Sequence, residues 1–335
     1  MHSTFPLDRR RLLSAGAAAL LTGLAGCNDS ESVDPGAPTD QAPAGTGVLV
    51  RGDTAQLYGT DASAAREATE RLLAAYGGGA AGADDDAGLV ADFESRTGLS
   101  VAEADTVVIF ADEPRGEFAA YVVDGEWSEA TVADAVESAT GLAYEPRDHE
   151  GGTVYEPTDG GPEADYLGSV ADGRYAVGSE AAVEAAIETA RADRESASGA
   201  VAGALEDAGV TGDDVPATSV VAATDDPRAY LPPDDDERVP DIASLDVYEL
   251  ATVGTVAYAT DGSSVAVDAE LRADSRSDAR QMADFTVTVR SFLRNDADDA
   301  VAAELSKVAV DQDDDIVTVS YRGDVEGAAV LAGYL

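Results

Sequence analysis

The sequence is short of cysteine and lysine. Cys27 is the one cysteine among 335 residues, so the chain can form neither an internal disulfide nor a site of several thiolates. The fold must therefore be held by burial of apolar side chains. Lys307 is the one lysine, and the chain has only 21 basic residues compared with 66 acidic ones. Binding of nucleic acid needs clustered cations that neutralise phosphates, so we expect no nucleic-acid partner.

Residue patterns typical of catalysis are missing as well. The chain has two histidines, and only His149 lies beyond the first few residues. No Gly-x-Ser-x-Gly elbow and no phosphate loop ending in Lys-Ser or Lys-Thr occurs. The sequence therefore predicts no catalytic residue, no cofactor site and no site for zinc or copper. We expect His149 to lie solvated in a polar loop.

Acidic clusters raise the question of calcium. Asp311, Asp313 and Asp315 alternate as in an EF-hand loop, but Ile316 stands where that loop needs glycine and Arg322 where it needs glutamate. We therefore expect weak, exchangeable cation binding and no dedicated metal site.

A second acidic feature is a stripe on one predicted helix. Glu180, Glu184 and Glu188 are spaced four residues apart, which places them on one helix face. We predict that this stripe is a solvated surface.

The N-terminus has the pattern of an export signal. Residues 9–11 are three arginines, and residues 15–26 are uncharged, which is too short a run to cross a bilayer as a permanent helix. Arg9 and Arg10 resemble the twin-arginine signal, and Leu-Ala-Gly before Cys27 resembles the lipobox of exported lipoproteins. The resemblance implies a protein lipidated at Cys27, anchored to the cell membrane and facing outside. The alternatives are a plain secretory signal followed by a free cysteine, or a buried structural cysteine.

The charge balance sets the expected environment. Without residues 1–26 the chain keeps 65 acidic and 18 basic residues, a net charge of −47. Scarce lysine, retained arginine and acids spread along the whole chain resemble the proteins of extremely halophilic archaea. Such a charge keeps a protein soluble but makes it repel itself, and molar salt screens that repulsion over about 3 Å.

Periodicity divides the chain into four parts. We predict an export signal (1–26), a lipidated cysteine with a disordered tether (27–46), and two halves (47–198 and 199–335) joined near residues 196–214. Hairpin-linked strands alternate with single helices in both halves, so the predicted class is α+β, with antiparallel sheets and packed helices. Both halves follow the order strands, helix, strands, helix, which indicates two diverged copies of one unit. Residues 173–180 resemble uncharacterised exported repeat-containing families, which imply no function.

Three functions are compatible with these patterns. The favoured one is a non-catalytic surface lipoprotein, a binding or envelope-structural module for an unknown protein or small molecule. The second is a solute-binding or carrier protein with an apolar cleft between its halves. The third is a hydrolase that uses two carboxyl groups about 5–10 Å apart.

Overall fold

The computed structural model describes residues 37–54, 63–77, 89–113, 117–158, 161, 164–197, 199–211, 215–231 and 244–334. The strands are β1 Val48–Asp53, β2 Ala104–Ala111, β3 Ala119–Gly125, β4 Tyr144–His149, β5 Gly152–Pro157, β6 Tyr166–Ala171, β7 Arg174–Gly178, β8 Thr218–Thr224, β9 Ala251–Thr260, β10 Ser264–Ala273, β11 Ala309–Asp313 and β12 Ile316–Asp324.

The α-helices are α1 Ser63–Gly77, α2 Leu89–Thr97, α3 Glu129–Thr140, α4 Glu180–Ala190, α5 Ala200–Asp207, α6 Arg276–Asp296, α7 Asp299–Leu305 and α8 Val325–Tyr334. Short 3-10 helices cover Pro38–Gln41, Val101–Glu103, Pro227–Tyr230 and Leu245–Leu250.

All twelve strands form one antiparallel sheet, in the order β11-β12-β10-β9-β8-β1-β2-β3-β7-β6-β5-β4. The predicted α+β class with antiparallel pairing is thus confirmed. The strands of both predicted halves contribute to this sheet and meet at the β1–β8 pair, where Val50 lies opposite Ala222.

The strand order runs outward from this pair in the same way on both sides. One side reads β1-β2-β3-β7-β6 and the other β8-β9-β10-β12-β11. Helices α3 and α6 follow the third strand of each series. The β4–β5 hairpin extends the first series only. This correspondence is what a duplication would produce, and the duplication with its domain boundaries stays a prediction.

Most helices pack on one face of the sheet, which we call the first face. Helices α2 and α3 cover inward side chains of β2, β3 and β7, including Tyr121 and Val123. Helices α1, α7 and α8 pack around Tyr258 and Tyr321, and α6 packs through Met282. Alanine and valine dominate these clusters, so the core is built from many small contacts.

The opposite face, the second face, carries α4 and α5. Val183 and Ile187 of α4, with Leu205 of α5, cover Leu49, Phe110 and their neighbours. Over β10 and β12 the second face shows polar side chains such as Thr318 and Ser320, which are half-buried. An antiparallel sheet tolerates one such polar face because its backbone hydrogen bonds are already made within the sheet.

Residues 37–46, which we call the clasp, differ from the tether predicted for this segment. The nitrogens of Ala44 and Ala197 donate to the carbonyls of Glu195 and Ala42, respectively. Ala42 is fully buried in the cluster of the second face, and Gln41 is buried beside it. Composition favours a tether here, but the pairing with residues 195–197 packs the segment against the fold.

Among the strands and α-helices, four were not predicted from the sequence, namely α2, β4, α5 and α7. The sequence predicts a join where helix α5 (Ala200–Asp207) lies and a polar loop where β4 (Tyr144–His149) lies. The spacing of apolar residues along helix α6 predicts that Phe292 faces inward, yet this ring is 38% exposed. None of the helices in the described ranges is long and apolar enough to cross a membrane.

Candidate functional site

A groove of about 610 Å³ lies on the first face where α1 meets α7 and α8. Arg71 comes from α1, Ala303 and Glu304 from α7, and Glu326 and Val330 from α8. Helix α1 belongs to the predicted first half and α7 and α8 to the second. The groove thus combines side chains from both halves of the chain.

Glu304 is the most enclosed charged group of the groove. Its Oε2 accepts a hydrogen bond of 2.7 Å from the Tyr321 hydroxyl, and Lys307 Nζ lies 2.7 Å from the same carboxylate. Burial and this carboxylate both raise the pKa of Tyr321. A Cβ at position 327 would lie 2.5 Å from the Glu304 carboxyl carbon, so Gly327 lets that carboxylate rest against α8. The Glu304 carboxylate is therefore held in place by a hydrogen bond and an ion pair within the fold.

The two walls of the groove are joined mainly by apolar contacts. Arg71 Nη2 lies 3.7 Å from Glu326 Oε1, and both side chains are exposed, so this pair contributes little stability. Ala68 and Leu72 of α1 instead pack in one cluster with Leu331 of α8. Helices α1 and α8 are therefore held together by apolar packing, whereas the Arg71–Glu326 pair at the groove is exposed.

The side chains of the groove suit contact with the surface of a macromolecule better than enclosure of a small molecule. Three acidic side chains, Glu304, Asp324 and Glu326, face one arginine, and alanine and valine supply the apolar surface. No aromatic ring occurs among the described residues that line it. Pockets for small molecules bury most of their ligand and are lined by apolar and aromatic groups, whereas this groove is open on one side.

A second polar cluster joins β4 to α4. Arg147 Nη2 lies 2.8 Å from Glu184 Oε1 and 3.0 Å from Glu180 Oε1. His149 Nε2 lies 3.1 Å from Glu188 Oε1, and its Nδ1 lies 3.5 Å from Glu184 Oε1. Alternate residues of a strand share a face, so Arg147 and His149 both point at the helix.

This cluster corrects two sequence-based predictions. The stripe of Glu180, Glu184 and Glu188 is not a bare solvated surface, because each glutamate has a cationic or imidazole partner. His149 ends a strand and is mostly buried, and both of its ring nitrogens face carboxylates. Strand β4 and helix α4 are far apart in the sequence, so residue spacing alone did not indicate that Arg147 and His149 contact the three glutamates.

Of the remaining predicted residues, those that the structure describes lie outside both clusters. Cys27, Arg9 and Arg10 lie outside the described residues. Asp311 and Asp313 lie on strand β11, and Asp314 pairs with Arg276. Within the described ranges, no three histidine, cysteine or acidic side chains are arranged to hold a metal ion.

Sequence reasoning missed the groove altogether. Glu304 and Lys307 lie three residues apart on one helix end, and Lys307 is the one lysine of the chain. That spacing was a visible signal for a local pair. The approach of α1 to α7 and α8 had no such signal.

Comparison with known proteins identifies the fold alone. No protein-family model matches the chain, and no curated protein sequence matches it significantly. Crystal form III of TP0453 superposes with a TM-score of 0.51 at 10% identity, covering 91% of this chain and 99% of that one. Crystal form IV of TP0453 gives a TM-score of 0.50 at 11% identity, covering 90% and 97%. The chain therefore shares the overall architecture of TP0453.

Proposed function

We propose that this chain is an exported, lipid-anchored surface protein that binds a partner without catalysis, and that the groove between α1, α7 and α8 is its binding site. The observation that carries the proposal is the groove itself, which is open and is lined from both predicted halves, between helices that apolar contacts hold together. Its excess of acidic groups favours a partner with a basic or neutral contact surface.

The carboxylates of the described clusters support a non-catalytic role. Glu304 is held by Tyr321 and Lys307, and Asp324 Oδ1 accepts a hydrogen bond of 2.7 Å from the Gly327 nitrogen at the start of α8. These groups stabilise the local structure, so they are poorly placed to exchange protons with a substrate.

A solute carrier is the second candidate, because the groove combines residues of both halves as that function requires. The two candidates differ in the size of the ligand. A docked macromolecule would extend beyond the groove, whereas a carried solute would fit within its volume of about 610 Å³.

Site-specific photo-cross-linking tests the groove. A benzophenone amino acid at Ala303 should cross-link one protein partner in membranes of the native host, and the same group at Ser138, exposed on α3, should not. Replacing Ala300 with Trp fills the groove and should abolish the cross-link at unchanged melting temperature. A retained cross-link would exclude the groove as the site, and a cross-linked molecule of low mass would favour the carrier.

The anchor is tested separately. Cys27→Ser should release the chain from the membrane fraction, and an R9K/R10K double variant should fail to be exported. A Cys27→Ser chain that still sediments with membranes and carries lipid would contradict the anchoring proposal.

A further inference from the structure

The position of the clasp determines where the anchoring segment leaves the fold. Ala42 is buried in the cluster of the second face, together with residues of α4 and α5. The preceding 3-10 helix Pro38–Gln41 begins one residue after Ala37, which is exposed. The chain therefore reaches solvent on the second face, the side opposite the groove.

The distance from Cys27 to Ala37 is bounded by covalent geometry. Ten residue steps separate them. A fully extended chain of that length spans about 35 Å, and a disordered one has a root-mean-square length of about 17 Å. A helix layer on each side of a sheet makes the domain roughly 30 Å thick.

These lengths discriminate between the two orientations in which a face of the sheet lies toward the bilayer. With the second face toward the lipid, Ala37 lies close to the surface and the linker keeps its conformational freedom. With the first face toward the lipid, the linker must cross the thickness of the domain and becomes almost fully extended. Extension to nearly twice the root-mean-square length is entropically unfavourable.

We infer that the second face, with α4, α5 and the polar strands β10 and β12, is directed toward a lipid bilayer, and that the groove on the first face is directed away from it. The inference rests on the proposed anchoring at Cys27 and adds the orientation of the anchored domain. It also adds the consequence that a partner reaches the groove from the side opposite the membrane.

The orientation can be measured with the anchor imposed chemically. The chain from Cys27 to its C-terminus is coupled through the Cys27 thiol to a maleimide lipid in phosphatidylcholine vesicles, in 4 M KCl. An azide-bearing amino acid carries a fluorophore at Glu206, exposed on α5, or at Ser138, exposed on α3. Energy transfer to an acceptor lipid is then compared between the two sites.

We expect severalfold stronger transfer from position 206 than from position 138. Inserting twenty Gly and Ser residues after Gly36 should largely remove this difference, because the linker then exceeds the thickness of the domain. Equal or reversed transfer with the native linker would overturn the inference, as would a difference that the longer linker leaves intact. Since coupling does not depend on lipidation in the cell, failure of the anchoring proposal would be seen only in the Cys27→Ser experiment.

Discussion

At the scale of single residues, buried ion pairs decide which substitutions the fold tolerates. Arg174 is buried at the start of β7, and Nε and Nη2 of its guanidinium donate to the two carboxylate oxygens of Asp124 on β3, at 2.5 and 2.8 Å. Asp124→Ala removes these two charged hydrogen bonds from a buried guanidinium. We expect a loss of about 3 kcal/mol in unfolding free energy, measured by denaturant titration at high salt.

The matched control is an exposed pair of the same type. Arg276 and Asp314 lie 2.6 Å apart, but both side chains are about 70% exposed. Arg276→Ala should therefore lower the stability by less than about 1 kcal/mol. Similar losses for the two variants would show that burial does not determine the contribution of the Arg174 pair.

The turn between β9 and β10 gives a prediction about pH. Asp261 Oδ1 accepts hydrogen bonds from the nitrogens of Ser264 and Ser263, and these bonds lower the pKa of Asp261 from its ordinary 3.8 to about 2. A folded-state pKa below the unfolded value stabilises the fold above pH 3.8, and this contribution disappears as the pH falls to 2.

Asp261→Asn keeps the acceptor oxygen and removes the charge. The stability of this variant should fall below that of the unmodified protein at pH 7, and the two should converge between pH 4 and 2. Chemical unfolding at a series of pH values measures the gap. A gap that stays constant down to pH 2 would mean that the charged form of Asp261 is not favoured by folding.

At the scale of elements, the sheet is protected at both edges. Strand β4 at one edge contains Pro146 between charged residues, and β11 at the other exposes Asp311 and Asp313. Proline lacks the donor that a further strand would need, and charged side chains disfavour pairing with another sheet edge. Strands β4 and β11 therefore disfavour pairing with the edge strands of a second copy of the chain.

The link between β4 and α4 holds the edge hairpin in place. Arg147→Ala removes contacts to Glu156, Glu180 and Glu184, so the β4–β5 hairpin should open more often. We expect its amides to exchange with deuterium about fivefold faster, which corresponds to about 1 kcal/mol in local opening. The amides of β9 and β10 serve as an internal reference.

Asp148→Ala is the control variant, because Asp148 is exposed and lies on the opposite side of the same strand. It should leave exchange in the hairpin unchanged. Faster exchange in both variants would point to a general weakness of β4 rather than to loss of the Arg147 contacts.

The same elements show what the sequence could predict. The β9–β10 hairpin can be predicted from the sequence, because Asp261 and Gly262 form a local turn signal between two apolar runs. Strand β4 was not predicted, because it is polar and contains Pro146, and its side chains Arg147 and His149 contact helix α4 more than thirty residues further along the chain. The groove was missed for the same reason: α1 lies more than 200 residues from α7 in the sequence. Signals carried by neighbouring residues can thus be recognised in the sequence, whereas packing between distant segments cannot.

At the scale of the whole molecule, charge sets the conditions for folding. The net charge of the chain without residues 1–26, −47, repels over about 30 Å at 0.01 M salt, and a core rich in Ala and Val has little stability to offset this repulsion. We predict cooperative loss of secondary structure as KCl falls from 4 M to 0.05 M, followed by circular dichroism on a chain starting at Asn28.

Restoring the salt should restore the spectrum. A sodium sulfate series at matched ionic strength separates charge screening from the strengthening of apolar contacts by salts that are excluded from the protein surface. An unchanged spectrum and melting temperature across the KCl range would contradict the predicted dependence on salt.

The central position of β1 has a mechanical consequence. The clasp leads directly into β1, which is hydrogen-bonded to β2 on one side and to β8 on the other. A force applied through an N-terminal anchor therefore pulls along a strand in the middle of the sheet, where the hydrogen bonds on both sides resist sliding together. The same force on an edge strand would separate its bonds one at a time. An anchor at Cys27, as proposed, would thus load the part of the sheet that best resists being pulled out.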